Sequence, residues 1–265
     1  MNKQGAIPAI EMRGVDVGAM RDSLFTVVED VNWSAAAGEF WVVAGPEYSG
    51  KSDLLMLAAG LMPPREGSCK LFGGDTQTVG EAELAGRLRV GFVFQGGQLF
   101  NRLTIAENIA LPLQYRNDLT AAAAAGETET LLALMELTPL AGLLPANVAA
   151  NWRQRAALAR ALILKPDVLL LDNPLAGLGA RHRQWWLRFL DHLSRGHGHF
   201  GGAPLTIVAT ADDLHPWRSA RRRFALLRDR KFIVLGGWDD VEAAGDPVLK
   251  ELLAAPVEQV ESLNG

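Results

Sequence analysis

Apolar residues fall along this chain in short continuous runs separated by longer segments with helical spacing. Phe40–Ala44, Val90–Phe94, Val168–Leu171 and Leu205–Ala209 contain almost no polar residue, which predicts strands buried on both faces. Ile10–Val15 and Phe25–Val31 read as two strands ahead of these, with Ala35–Gly38 as a turn. Ser68–Phe72 is a short strand closed by Gly73-Gly74-Asp75, and Phe224–Arg228 pairs with Lys231–Leu235 as a hairpin across Asp229-Arg230. An apolar helix runs through Leu54, Leu55 and Leu57 to Ala59. Thr104-Ile105-Ala106-Glu107 is a capping box whose helix should end near Leu111, because Pro112 disfavours helical backbone before it. Ala121–Ala125, backed by Leu131, Leu132, Leu134 and Met135, opens a helix of a helical insert, and Trp152–Leu164 is a second, stopped by Lys165-Pro166. Ala180–Arg195 is an amphipathic helix, followed by the glycine-rich loop Gly196–Pro204. Strands alternating with helices predict an α/β fold around a mostly parallel sheet covered on both faces.

Composition narrows the class. The 265 residues, 49% hydrophobic, suffice for one full core with a small subdomain. A net charge of −4 argues against nucleic acid as a partner. Cys69 stands alone, so no disulfide framework is expected and a reducing compartment suits the chain. The first residues, MNKQGAIPAIEMRG, hold no signal-like apolar core, and no run approaches the roughly 18 apolar residues of a span. A membrane connection is therefore expected through another subunit.

The first buried run breaks into Gly45-Pro46-Glu47-Tyr48-Ser49-Gly50-Lys51-Ser52, which fits G-x-x-x-x-G-K-[ST] and leads directly into the Leu54 helix with Asp53 in its first turn. Strand, glycine loop and helix in this order form a phosphate cradle of backbone N–H groups at the positive end of a helix. Gly45 and Gly50 remove side chains from the approach, Lys51 reaches β/γ-phosphates, and the Ser52 hydroxyl sits on Mg²⁺. The chain is expected to bind a nucleoside triphosphate.

With Phe94-Gln95, then RQRAALARALILKPDVLLLDNP (Arg153–Pro174), then TIVATADDL (Thr206–Leu214), the order of segments from about Ile10 to Gly237 resembles the nucleotide-binding subunit of ABC transporters. The resemblance implies a P-loop ABC-type fold over residues 1–265. Its mostly parallel core would carry an antiparallel β subdomain, a helical subdomain at about 97–160 and a C-terminal tail at about 238–265. It also implies ATP and Mg²⁺ as cofactors, with Gln95 sensing the metal or attacking water, and Asp172 joining Ser52 and Gln95 as metal ligands. The implied partners are a membrane permease and a second nucleotide-binding subunit, identical or not. The implied location is cytoplasmic, on the inner face of the membrane. Phe94–Gln114 and the tail, Gly236 followed by Asp246–Leu253, look like the subunits of MCE/Mla-type lipid transport, so phospholipid is the expected cargo.

The chain departs from the family pattern where the family does its chemistry. The glutamate expected after Asp172 is Asn173, and the switch histidine falls at Ala211. The signature, Leu-Ser-Gly-Gly before Arg-Gln-Arg in the family, reads Val148-Ala149-Ala150-Asn151-Trp152, and the aspartate of the D-loop is Gly179. An amide takes no proton, and a positioned general base contributes about 10²–10⁴-fold. Two functions stay open: an energising ATPase subunit, or a hydrolysis-deficient ATP-binding subunit that pairs with an active homologue. A soluble repair or translation protein is disfavoured, since the chain has neither tandem repeat nor long coiled coil. Asn151 is expected as a helix N-cap, Arg218, Arg221, Arg222 and Arg223 as a solvated face, and His197 and His199 as loop residues rather than metal ligands. Trp185-Trp186 should place one ring in the core and one at a subunit contact; the family's adenine-stacking aromatic has no clear match, with Phe25 a candidate only by its place before the phosphate loop.

Overall fold

A computed structural model describes residues 7–77 and 90–254. β3 (Phe40–Ala44) and β7 (Val168–Leu171) occupy the bounds their apolar runs predict, and every residue of both is buried. Burial on both faces is visible within single strands: Phe40, Val42 and Ala44 of β3 enter one core, Trp41 and Val43 the other. β6 (Val90–Val93), β7, β8 (Thr206–Ala211) and β3 pair in parallel, and β9 (Arg222–Arg228) joins the far side of β3, also in parallel. β10 (Lys231–Gly236) folds back on β9 across Asp229 and Arg230, whose φ angles of 49° and 61° are those of a primed hairpin turn.

β1 (Ile10–Ala19) and β2 (Asp22–Ala35) are longer than expected. Their apolar residues alternate with Arg13, Asp16, Glu29 and Asn32, so only one face is buried, and the apolar run alone understates such strands. With β4 (Glu66–Leu71) and β5 (Gly74–Asp75) they form the antiparallel part of one ten-stranded sheet ordered β5-β4-β1-β2-β10-β9-β3-β8-β7-β6.

Helix α1 (Lys51–Ala58) packs Leu54, Leu55 and Leu57 under β1 and the outer core. α2 (Ile105–Asn117) opens on the expected capping box: Glu107 N–H donates to Thr104 Oγ1, and Thr104 N–H donates to Glu107 Oε2 at 2.7 Å. It does not stop at Leu111 but runs through Pro112. Leu113 beyond the proline packs on the same core as Ile105 and Ile109, and that packing works against the roughly 3 kcal/mol an internal proline costs. α3 (Ala121–Leu134) and α4 (Ala150–Leu162) complete the helical insert, and α5 (Ala180–Arg195) matches its expected bounds. α6 (Trp238–Ala243) and α7 (Pro247–Leu253) carry the tail; its residues 255–265 lie outside the described ones.

Asn151 is not the N-cap of α4. Ala149 takes that position, and Asn151 sits in the first turn, its Nδ2 2.5 Å from His182 Nε2. The Arg218–Arg223 cluster is likewise not one solvated face. Arg222 is 3% exposed, donates to Asp191 Oδ1 at 2.7 Å and lies over the rings of Phe40 and Trp217. Two aromatic rings and a carboxylate provide the desolvated guanidinium with partners that a charge count along the chain does not reveal. Trp186 is fully buried, whereas Trp185 stacks on Phe189 at 5.0 Å and receives the Arg155 guanidinium at 3.8 Å. His199 Nε2 lies 3.0 Å from Glu127 Oε1, and the His197 ring packs against Phe200.

Candidate nucleotide site

Three adjacent strand ends build the site. β3 and β8 run in parallel with Ala44 opposite Ala211, and Gly45 N–H donates to the Ala211 carbonyl at 3.1 Å. β7 lies on the other side of β8, so Gly45, Asp172 and Asp212 leave the sheet side by side. This is the carboxyl end of a parallel sheet, where ligands gather in open α/β folds. A cavity of about 330 Å³ there is lined by Glu47–Asp53, Gln95, Asp172, Asn173 and Asp212. The structure thus brings together the phosphate-loop residues, Gln95 and Asp172, which lie far apart in the chain.

The loop is shaped against side chains at its two glycines. A Cβ on Gly45 would stand 2.6 Å from Ser49 Oγ and 2.7 Å from the Leu227 carbonyl. Gly50 holds φ at 90°, and its Cβ would meet Val28 at 2.9 Å. Lys51 opens α1 and is 8% exposed; its Nζ donates to the carbonyls of Gly45 at 2.6 Å and Pro46 at 2.5 Å. Burial pulls its pKa below the usual lysine value, and the charges of Asp212, Asp172 and Glu47 oppose that shift. Asp53 Oδ1 accepts from Met20 N–H at 2.7 Å, which ties the β1–β2 turn to the start of α1. Tyr48 is almost wholly exposed. The ring of Phe25 is exposed as well and faces the Arg230 guanidinium at 5.8 Å.

Asp172 is 7% exposed, and Thr210 Oγ1 donates to its Oδ1 at 3.0 Å. The same hydroxyl accepts from Asn173 N–H at 2.8 Å, and Asn173 Nδ2 donates to Asp212 Oδ2 at 2.8 Å. A side-chain excluding cradle with a buried ammonium and a buried carboxylate fits a polyphosphate and a hard divalent cation. Lys51 and the loop amides would hold the phosphates, with Ser52, Gln95 and Asp172 disposed toward the metal. Thr210 and Asp212 escaped the sequence reading. Asp212 carried a signal nonetheless, as an acidic residue directly after a buried strand, in the same setting that singled out Asp172.

The segment after β6 is coupled to α4. Gly97 has φ of 75°, and a Cβ there would stand 2.8 Å from the Arg153 carbonyl. Arg160 donates to the Gln98 carbonyl at 2.8 Å. Ala149 and Ala150, at the amino end of α4, are exposed. Beside this segment, an apolar groove of about 760 Å³ is lined by Phe92, Phe94, Phe100, Pro112, Tyr115 and Arg160, among others.

Fold and site together define a phosphate-loop nucleotide-binding protein of the α/β class. A family model described as ABC transporter matches residues 28–176, more than half of the chain. The chain belongs to that family. Among curated relatives, the sulfate/thiosulfate import ATP-binding protein CysA 2 of Rhizobium meliloti is 38% identical over 191 residues, covering 71% of this chain and 50% of that protein. CysA of Synechococcus elongatus is 41% identical over 169 residues, covering 63% and 48%. The chain thus spans about half the length of the curated relatives it matches first. Among solved structures, the dimeric ATP-binding cassette MJ0796 bound to ADP and Pi superposes with a TM-score of 0.75 at 26% identity, covering 86% of this chain and 100% of that one. The relatives named here are described as sulfate/thiosulfate importers and give no support to the expected lipid cargo.

Proposed function

We propose that this chain is the ATP-binding subunit of an ABC transporter, holding Mg-ATP in the cavity at the carboxyl ends of β3, β7 and β8. The observation that carries the reading is the convergence of Lys51, Ser52, Gln95 and Asp172 on one cavity behind a loop closed to side chains. Among the described residues no helix is long and apolar enough to cross a membrane. In this reading a permease subunit carries the transport path. The groove beside Gln95 is the docking face for that permease, because a partner there touches the segment leading directly from the nucleotide cavity. The subunit then sits on the cytoplasmic face of the membrane, next to a second nucleotide-binding subunit.

Turnover by this chain's own site is slow. Asn173 offers an amide where a water-polarising carboxylate is expected, Ala211 offers a methyl group, and the donor loop presents Ala149-Ala150-Asn151. Purified chain should therefore hydrolyse Mg-ATP little above background, and Asn173→Glu alone should restore little, since catalytic groups acting as a unit are strongly non-additive. Rapid turnover by the wild-type chain, abolished in Lys51→Ala, overturns slow turnover and leaves an ordinary ATPase subunit.

Two cargo readings have separate support. The relatives' names favour an oxyanion such as sulfate or thiosulfate, and the Phe94–Gln114 segment favours a phospholipid. Co-purification with the native permease, followed by identification of the bound cargo, separates them.

A further inference from the structure

Asp212 is the acidic neighbour of the phosphate loop that no family pattern invoked above requires. It leaves β8 one residue past Ala211, whose carbonyl is bonded to Gly45, the first residue of the loop. Its carboxylate is fixed from one side by Asn173 Nδ2 at 2.8 Å, and Asn173 is fixed in turn by Thr210, which also holds Asp172. Asn173 has φ of 45°, a backbone conformation asparagine tolerates better than most residues, so it suits the turn that aims its amide at Asp212. Asp212 shares the cavity with Lys51, and its negative charge, with those of Asp172 and Glu47, opposes the lowering of the Lys51 pKa by burial.

A phosphate-loop lysine serves the β/γ end of a nucleotide. A triphosphate brings one more phosphate, and more negative charge, to that end than a diphosphate does, so a fixed negative charge beside it opposes the triphosphate more. We propose that Asp212 is a specificity-determining residue of this site and Asn173 its positioning residue: the held carboxylate weakens a triphosphate relative to a diphosphate. The proposal rests on the nucleotide-binding reading above. It also gives a second reason to expect little turnover from Asn173→Glu: the substitution exchanges the amide that donates to Asp212 for a carboxylate that repels it.

The test is equilibrium binding of fluorescently labelled ATP and ADP, each with Mg²⁺, to the full chain and to Asp212→Asn. Removing one charge near the terminal phosphate should tighten ATP about tenfold and ADP less than about twofold. Asn173→Ser, which keeps the charge but frees it, should move the ATP-to-ADP ratio the same way by a smaller factor, and it carries the test if Asp212→Asn does not fold. Equal changes for both nucleotides, or none, overturn the proposal while leaving nucleotide binding intact. Failure of the wild-type chain to bind either nucleotide removes the parent reading instead, and this one with it.

Discussion

Several side chains are defined by neighbours far away in sequence, and their behaviour follows from those neighbours. Arg222 is buried among Phe40, Trp217 and Asp191. Asp191→Asn leaves that guanidinium without its counter-charge. Breaking a buried pair from one side costs about 3–5 kcal/mol, and the one-third exposure of the Asp191 side chain places this loss nearer about 2 kcal/mol. Chemical denaturation of the variant, with unchanged dependence on denaturant, checks it. Cys69 is fully buried, and burial pushes its thiol pKa up to about 11. At pH 8 about one molecule in a thousand would carry the thiolate even if reagent reached it. Thiol modification should therefore follow global unfolding, with a rate that rises exponentially with denaturant concentration.

Elements were legible in the sequence where one local rule decided them. Phe40–Ala44 and Val168–Leu171 are buried from both sides, so an unbroken apolar run marks them fully. The amphipathic pattern of Ala180–Arg195 does the same for α5. The phosphate loop was legible because its glycines and lysine have fixed spacing. What was not legible depended on contacts between distant segments. Pro112 signalled a helix end, yet Leu113 has a core to pack on. Asn151 signalled an N-cap, yet α4 begins two residues earlier, and the asparagine meets His182 instead. Asp212 follows a buried strand as Asp172 does, but only the pairing of β3 with β8 sets it beside the phosphate loop. Two outcomes follow for these elements. Pro112→Ala should stabilise the fold, by at most the roughly 3 kcal/mol that proline costs in a helix interior, measured as an upward shift in melting temperature. Gly97→Ala should destabilise it, because the new methyl group must displace the Arg153 backbone and the residue must hold a positive φ. A melt at or above the wild-type value would contradict the close approach of the Gln95 segment to α4.

At the scale of the whole molecule, the nucleotide cavity connects to the apolar groove proposed for the permease through Gln95, Gly97 and α4. Phe100 is 57% exposed at the groove's edge. Phe100→Asp should leave the thermal melt within about 0.5 kcal/mol of wild type, as an exposed substitution, while the permease is lost on co-purification. Retention of the permease would place its contact elsewhere. The central claim, that the cavity around Lys51 takes Mg-ATP, is tested most directly by thermal unfolding of the full chain with and without Mg-ATP, beside Lys51→Ala. Ligand at a hundred times its dissociation constant should stabilise the wild-type chain by about 2.7 kcal/mol and leave the variant unmoved. A wild-type melt unchanged by saturating Mg-ATP, or an equal shift in Lys51→Ala, would contradict it.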